Sequence, residues 1–180
     1  GSLPSSVWNT SVQQLFLNDN RFTGSFPSRG NRDCSLQYLS VSDNLLTGEL
    51  PSDLSQCVNL TSFFASDMNL VGPVTGRFAS QAQLQTVVIA NNSLTGPLDD
   101  VFVDSQSGEG WILNAGYNAF TGTLPEAALS TGRYVSLILL SNCLSGTLPA
   151  ALCANTNMTE LLLSGLHASS ACGLSPFPGL

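Results

Sequence analysis

A repeat of 24 residues runs along this 180-residue chain and restricts its fold more than any other feature. One Asn, which we call the anchor, recurs in five units. A Gly lies four residues after the anchor position in six units. The anchors are Asn20, Asn44, Asn92, Asn118 and Asn142, and the glycines are Gly24, Gly48, Gly72, Gly96, Gly122 and Gly146. Met68 takes the anchor position in one unit, and a two-residue insertion lengthens one step to 26 residues. This periodicity predicts a solenoid, because a short unit buries its apolar face only against its neighbours.

The chemistry of one unit explains how such a solenoid is built. Leu39 and Val41 alternate with polar residues, which predicts a short strand with one face inward. Asn44 then suits a buried turn, because its amide can pair with backbone groups that stacking hides from water. Gly48 allows a positive φ, and Pro51 ends the extended segment. Apolar residues after Pro51, Pro125 and Pro149 predict short helical turns on the outer side.

The repeated motif L-x-x-L-x-L-x-x-N-x-L, followed by (T/S)-G-x-L-P, resembles the leucine-rich repeat of the plant-type subclass. Residues 36–51 show the whole motif, and a degenerate seventh unit begins at Met158 with Leu166 at the anchor position. The resemblance implies an α/β solenoid: a right-handed superhelix of about seven repeats with a concave parallel sheet and short convex helical turns. It implies one domain over residues 1–180, a fragment of a receptor ectodomain or of a protist-type surface antigen.

Composition narrows the functional class. Charged residues make up only 9% of the chain, the net charge is −7 and Lys is absent, which argues against a nucleic-acid partner. No apolar run reaches the length of a membrane span. Five cysteines and four N-x-(S/T) sequons favour an extracellular or cell-surface glycoprotein. The sequons begin at Asn9, Asn59, Asn91 and Asn157.

Strand alternation predicts which side chains face the concave surface. The position four residues before the anchor is apolar in five of seven units: Phe16, Phe64, Val88, Ile138 and Leu162, with Ser40 and Asn114 in the other two. Tyr38 lies two residues earlier in its unit, and Asp19, Asp43 and Asp67 directly precede their anchors. These residues predict a groove for a protein or peptide with apolar anchors and some positive charge. The alternative is a structural or adhesive glycoprotein without a ligand groove, or a stripe covered by a neighbouring segment.

Catalysis has little support in the sequence. His167, the single His, stands one repeat after Cys143, but no acid falls in register to orient it. We therefore expect neither enzymatic activity nor a cofactor or metal site.

Cysteine positions predict two disulfides. Cys34 and Cys57 occupy near-equivalent places in adjacent repeats, which favours a bridge between them. Cys153 and Cys172 flank the last repeat, where an open apolar end needs closing, and this interpretation leaves Cys143 unpaired.

Overall fold

Two parallel sheets run the length of the solenoid in the computed structural model. The structure describes residues 1–8, 11–28, 30, 33–74, 76, 78, 81–102 and 110–165. The first sheet has seven strands in chain order: β1 (Gln14–Phe16), β3 (Tyr38–Ser40), β5 (Ser62–Phe64), β7 (Thr86–Val88), β9 (Trp111–Asn114), β11 (Tyr134–Ile138) and β13 (Glu160–Leu162). The second has six: β2 (Thr23–Ser25), β4 (Leu45–Gly48), β6 (Asn69–Pro73), β8 (Ser93–Pro97), β10 (Ala119–Gly122) and β12 (Cys143–Leu144). The leucine-rich-repeat solenoid implied by the sequence is therefore confirmed.

Equivalent positions of successive repeats pair in the first sheet. Leu15 pairs with Leu39 in the neighbouring strand, and Leu39 pairs with Phe63 in the next. The two-residue insertion does not disturb this register, because Val88 still pairs with Asn114, at the same distance before its own anchor. The insertion therefore leaves the pairing of β7 with β9 unchanged.

Inward-facing strand residues form the core that the alternation predicts. Leu39, Phe63 and Leu137 are at most 2% exposed. Phe63 also belongs to a buried aromatic column, with ring centroids 6.5 Å from Phe26 and 5.9 Å from Phe78. The core of the first half of the chain therefore depends on large rings that neighbouring repeats stack against each other.

Buried anchors hold neighbouring repeats together by hydrogen bonds. The Asn118 side-chain oxygen accepts from the Leu94 backbone N–H at 3.0 Å, and its amide donates to the Ile89 carbonyl at 2.9 Å. Asn44 and Asn142 make the equivalent contacts with their preceding repeats. Met68 is only 7% exposed, so the exceptional unit fills the anchor position with apolar packing.

Short helical turns follow the extended segments on the outer side, as predicted. They are 3-10 turns at Leu54–Gln56 and Leu98–Asp100, and the α-helical turns α1 (Glu126–Leu129) and α2 (Ala151–Ala154). Leu54, Leu98 and Leu129 are fully buried beneath them. Each turn therefore seals the core from the side opposite the first sheet.

The cysteines confirm one predicted bridge and correct the other. Cys34 and Cys57 form a disulfide with Cα atoms 5.1 Å apart. Cys143 is also disulfide-bonded, whereas Cys153 carries an exposed free thiol, so the prediction of a Cys153–Cys172 bridge with Cys143 unpaired is wrong. Cys172 lies outside the described residues. Cys153 sits on the outer turn α2, which points its thiol to solvent, whereas Cys143 lies half-buried in the second sheet.

This assignment predicts a distinct alkylation pattern. Treating the native, non-reduced chain with iodoacetamide is expected to label Cys153 and to leave Cys34, Cys57 and Cys143 unmodified, because only an available thiolate reacts. Peptide mass mapping reads the label directly. Cys153→Ser is the control and should remove the label, whereas label on Cys143 would contradict the assignment.

Candidate ligand-binding face

Three aromatic rings form a continuous row on the outward face of the first sheet. Phe16, Tyr38 and Phe64 come from adjacent strands, and we call them the aromatic row. The Tyr38 ring centroid lies 4.6 Å from that of Phe16 and 5.1 Å from that of Phe64, with interplanar angles of 35° and 31°. Phe16 is 58% exposed, and the other two rings are half-buried. Ring–ring contact across strands therefore holds together an apolar surface that faces solvent.

Aliphatic side chains continue this surface along the later strands. Val88 and Ile138 are half-buried, and Leu162 is 39% exposed. Ile112 is 38% exposed in the same region and was not among the predicted binding residues. The sequence could have indicated that Ile112 faces outward, because it occupies the position equivalent to Tyr38, six residues before the anchor.

Two positions interrupt the apolar surface. Ser40 is only 6% exposed, so it contributes little to the outward face despite its register. Asn114 turns its side-chain oxygen towards the Gly116 backbone N–H, which donates to it at 3.2 Å. Ser40 thus interrupts the surface within the aromatic row and Asn114 within the aliphatic part, whereas Phe64 and Val88 pair directly where the two parts meet.

The three predicted acidic residues are exposed beside the turn of successive repeats. Partial loss of hydration, together with the charges of Asp67 and Asp19, raises the pKa of Asp43. The Asn91 amide donates to Asp67 at 2.6 Å, and the Asn18 amide donates to Asp19 at 2.5 Å. The carboxylates therefore interact along the solenoid as one row.

Backbone conformation supplies a second reason for these acids. Asp19, Asp43 and Asp67 have φ of 56°, 55° and 55°, and Asn91 has 53° at the equivalent position. Asp and Asn tolerate this left-handed region better than most residues. Part of the acidic row thus reflects the turn rather than a ligand. Tyr117 takes the same position with φ 55° and is 54% exposed, which places another aromatic ring beside the face.

The predicted glycosylation sites are exposed wherever the structure describes them. Asn59, Asn91 and Asn157 are exposed, and Asn9 lies outside the described residues. The Asn157 amide donates to the Gly132 carbonyl at 3.0 Å. Glycosylation at all four sites stays a prediction.

Neither a metal centre nor a membrane span is found in the described part of the chain. No group of three or more His, Cys, Asp or Glu residues is arranged there to hold a metal ion. None of the helices described is both long and apolar enough to cross a bilayer. Cys143 is oxidised in a disulfide, and His167 lies outside the described residues.

Comparison with known proteins identifies the repeats. The family model for the leucine-rich repeat matches residues 35–57. No curated protein sequence matches the chain. The repeat pattern and the two-sheet solenoid are thus similar to those of plant-type leucine-rich-repeat proteins.

Solved structures with this fold include plant receptor ectodomains. The ectodomain of GASSHO1/SCHENGEN3 from Arabidopsis thaliana, in complex with CASPARIAN STRIP INTEGRITY FACTOR 2, is 31% identical with a TM-score of 0.79; the match covers 92% of this chain and 20% of that one. The Arabidopsis receptor kinase HAESA, in complex with the peptide hormone IDA and the co-receptor SERK1, is 29% identical with a TM-score of 0.76, covering 88% and 26%. A plant ice-binding protein shares the fold alone, at 22% identity and a TM-score of 0.77, covering 91% and 53%. The chain thus spans less than a third of either receptor ectodomain.

Proposed function

We propose that this leucine-rich-repeat solenoid is an extracellular recognition module that binds a protein or peptide through the outward face of its first sheet. The observation that carries the proposal is the aromatic row. Exposed rings that contact each other across three strands form a preorganised apolar surface, and buried aromatic anchors dominate the affinity of many interfaces. We expect the ligand to bury Phe16, Tyr38 and Phe64.

The ligand class is supported by the two receptor ectodomains. Both are solved in ligand complexes, one of them with a peptide hormone and a co-receptor. The acidic row of Asp19, Asp43 and Asp67 beside the apolar surface favours a ligand with positive charge. Binding without catalysis also fits a face built from apolar rings and exposed carboxylates.

The covalent chemistry supports an extracellular location. The Cys34–Cys57 disulfide is stable in an oxidising compartment, and the exposed sequons at Asn59, Asn91 and Asn157 are acceptors for secretory glycosylation. The proposal therefore places the protein outside the cell or on its surface.

The test uses peptides selected on the intact chain from a random phage-displayed library. We expect Phe64→Asp to weaken the binding of a selected peptide at least tenfold, because burying one large side chain is worth roughly 1.5–3 kcal/mol. Isothermal titration calorimetry gives the dissociation constants. Val71→Asp is the matched control, since Val71 is a 43% exposed strand residue of the second sheet and should leave binding within a factor of about two.

Two outcomes would contradict the proposal. One is a selected peptide that binds Phe64→Asp as tightly as the parent chain. The other is a peptide whose affinity falls with Val71→Asp instead, which would move the site to the second sheet. Either result would leave the structural or adhesive glycoprotein as the better interpretation of the exposed rings.

A further inference from the structure

A cavity of about 570 Å³ lies away from the proposed ligand-binding face. Its walls come from the outer turns of two repeats: Asp99 and Phe102 on one side, and α1 with the residues before it on the other. Trp111 and Tyr134, the first residues of β9 and β11, also line it. Cavities of this size are typical of sites for small molecules.

Aromatic rings make up much of the lining. The Tyr134 ring lies 5.2 Å from Phe102 in an edge-to-face arrangement and 6.0 Å from Trp111. Trp111 and Tyr134 are each 3% exposed, so most of each ring is packed into the core and only an edge lines the cavity. Burial raises the pKa of Tyr134 above its usual range, against a smaller opposite effect of the Arg133 charge, so the phenol stays neutral. The rings therefore give this part of the wall an uncharged, apolar edge.

One polar atom in this lining has no partner. The indole Nε1 of Trp111 is buried and makes no hydrogen bond. The chain's other tryptophan, Trp8, donates from Nε1 to the Pro27 carbonyl at 2.8 Å. Buried Trp N–H groups ordinarily find an acceptor, and an unmade hydrogen bond costs about 1–3 kcal/mol. Within the part of the chain that the structure describes, this donor therefore lacks an acceptor, and an entering oxygen atom can supply one once a small rotation of the ring uncovers Nε1.

Charge at the cavity limits the ligand further. Asp99 and Glu126 line it together with Arg133, so the carboxylates outnumber the guanidinium. An anionic molecule is therefore disfavoured. From the rings, the unpartnered donor and this charge balance, we propose that the cavity is a binding site for a small, uncharged, planar aromatic molecule that carries a carbonyl oxygen. The site is independent of the peptide-binding function proposed above.

The two tryptophans allow a direct test by ¹H–¹⁵N NMR of the whole chain. Acetophenone is the probe, and ethylbenzene, which has a similar shape without the oxygen, is its control. Neighbouring atoms cover Trp111 Nε1 in the empty cavity, so the ring must turn slightly for an acceptor to reach it. We expect acetophenone to move the Trp111 indole N–H signal downfield, to leave the Trp8 signal in place, and to bind at least tenfold more tightly than ethylbenzene.

Blocking variants make the test specific. Ala127 lines the cavity and is exposed, so Ala127→Phe should fill the space without disturbing the core and weaken acetophenone at least tenfold. Ser52→Phe, in the exposed turn after Pro51, is the control and should change nothing. The proposal is overturned if the Trp111 signal does not respond, if Trp8 responds equally, or if Ala127→Phe binds acetophenone like the parent chain. Equal shifts of the Trp111 N–H with ethylbenzene would overturn the role of the carbonyl oxygen.

Discussion

Phe63→Asp is expected to unfold the first half of the solenoid, whereas Phe64→Asp, one residue away, is expected to leave it folded. Phe63 is fully buried between the rings of Phe26 and Phe78, and a carboxylate moved from water into such an apolar environment carries a large desolvation cost. Loss of the ring alone costs about 3–5 kcal/mol, a large part of the stability of a typical domain. Phe64 faces outward and is half-buried against Tyr38.

Circular dichroism and urea unfolding of both variants test this contrast. We expect Phe63→Asp to lose strand signal and Phe64→Asp to keep it, with only a small shift in the unfolding midpoint. Phe63→Leu is the conservative control and should fold with reduced stability. The opposite result, a folded Phe63→Asp and an unfolded Phe64→Asp, would show that the register is wrong by one residue and would remove the candidate ligand-binding face with it.

Asn118→Leu is expected to destabilise the solenoid by about 1–3 kcal/mol, although it adds apolar surface to the core. The change leaves the Leu94 N–H without its acceptor, whereas the Ile89 carbonyl loses the Asn118 amide but still accepts from the Asn92 amide at 3.2 Å. Each buried group that loses its hydrogen bond costs about 1–3 kcal/mol. Thermal and urea denaturation of the variant measure the loss.

Asn20 provides a matched control for this prediction. It holds the same place in its repeat but is exposed, and its amide donates only to the nearby Leu17 and Asn18 carbonyls. Water replaces such contacts at little cost, so Asn20→Leu should reduce stability by less than about 1 kcal/mol. Equal losses in the two variants would mean that the hydrogen bonds between repeats contribute little.

The repeat made the fold predictable from the sequence. The inward positions, such as Leu39 and Phe63, and the buried anchors, such as Asn118, recur at fixed intervals because every repeat meets the same neighbours. The same interval identified Phe16, Tyr38 and Phe64 as outward-facing. It did not indicate that their rings touch, because ring contact depends on side-chain conformations across three strands.

Asp19, Asp43 and Asp67 show where sequence reasoning was incomplete. Their acidity indicated a ligand, whereas the structure adds a backbone cause, because all three adopt a positive φ. The sequence could have indicated this backbone cause, because Asn91 occupies the equivalent position. Asn is uncharged but, like Asp, tolerates a positive φ.

Features that do not recur with the 24-residue repeat could not be predicted from the sequence. Cys143 and Cys153 have no cysteine at the equivalent position of a neighbouring repeat, so the interval does not constrain their pairing, and the sequence-based choice between them was wrong. The cavity depends on Trp111, which begins the strand that follows the insertion. Neither the surroundings of these cysteines nor the cavity recurs in another described repeat, so the repeat spacing could not indicate them.

The spacing of the strands limits how well the aromatic row, as the binding surface we propose, can distinguish one linear ligand from another. Neighbouring strands lie about 4.8 Å apart, so the three rings cover about 10 Å, the length of roughly three residues of extended peptide. Side chains on one side of such a peptide recur about every 6.8 Å, out of phase with the strands it crosses. Successive ligand side chains therefore meet the rings at different offsets. Discrimination by this row is confined to a tripeptide-sized window, and a longer ligand has to be distinguished by contacts beyond it.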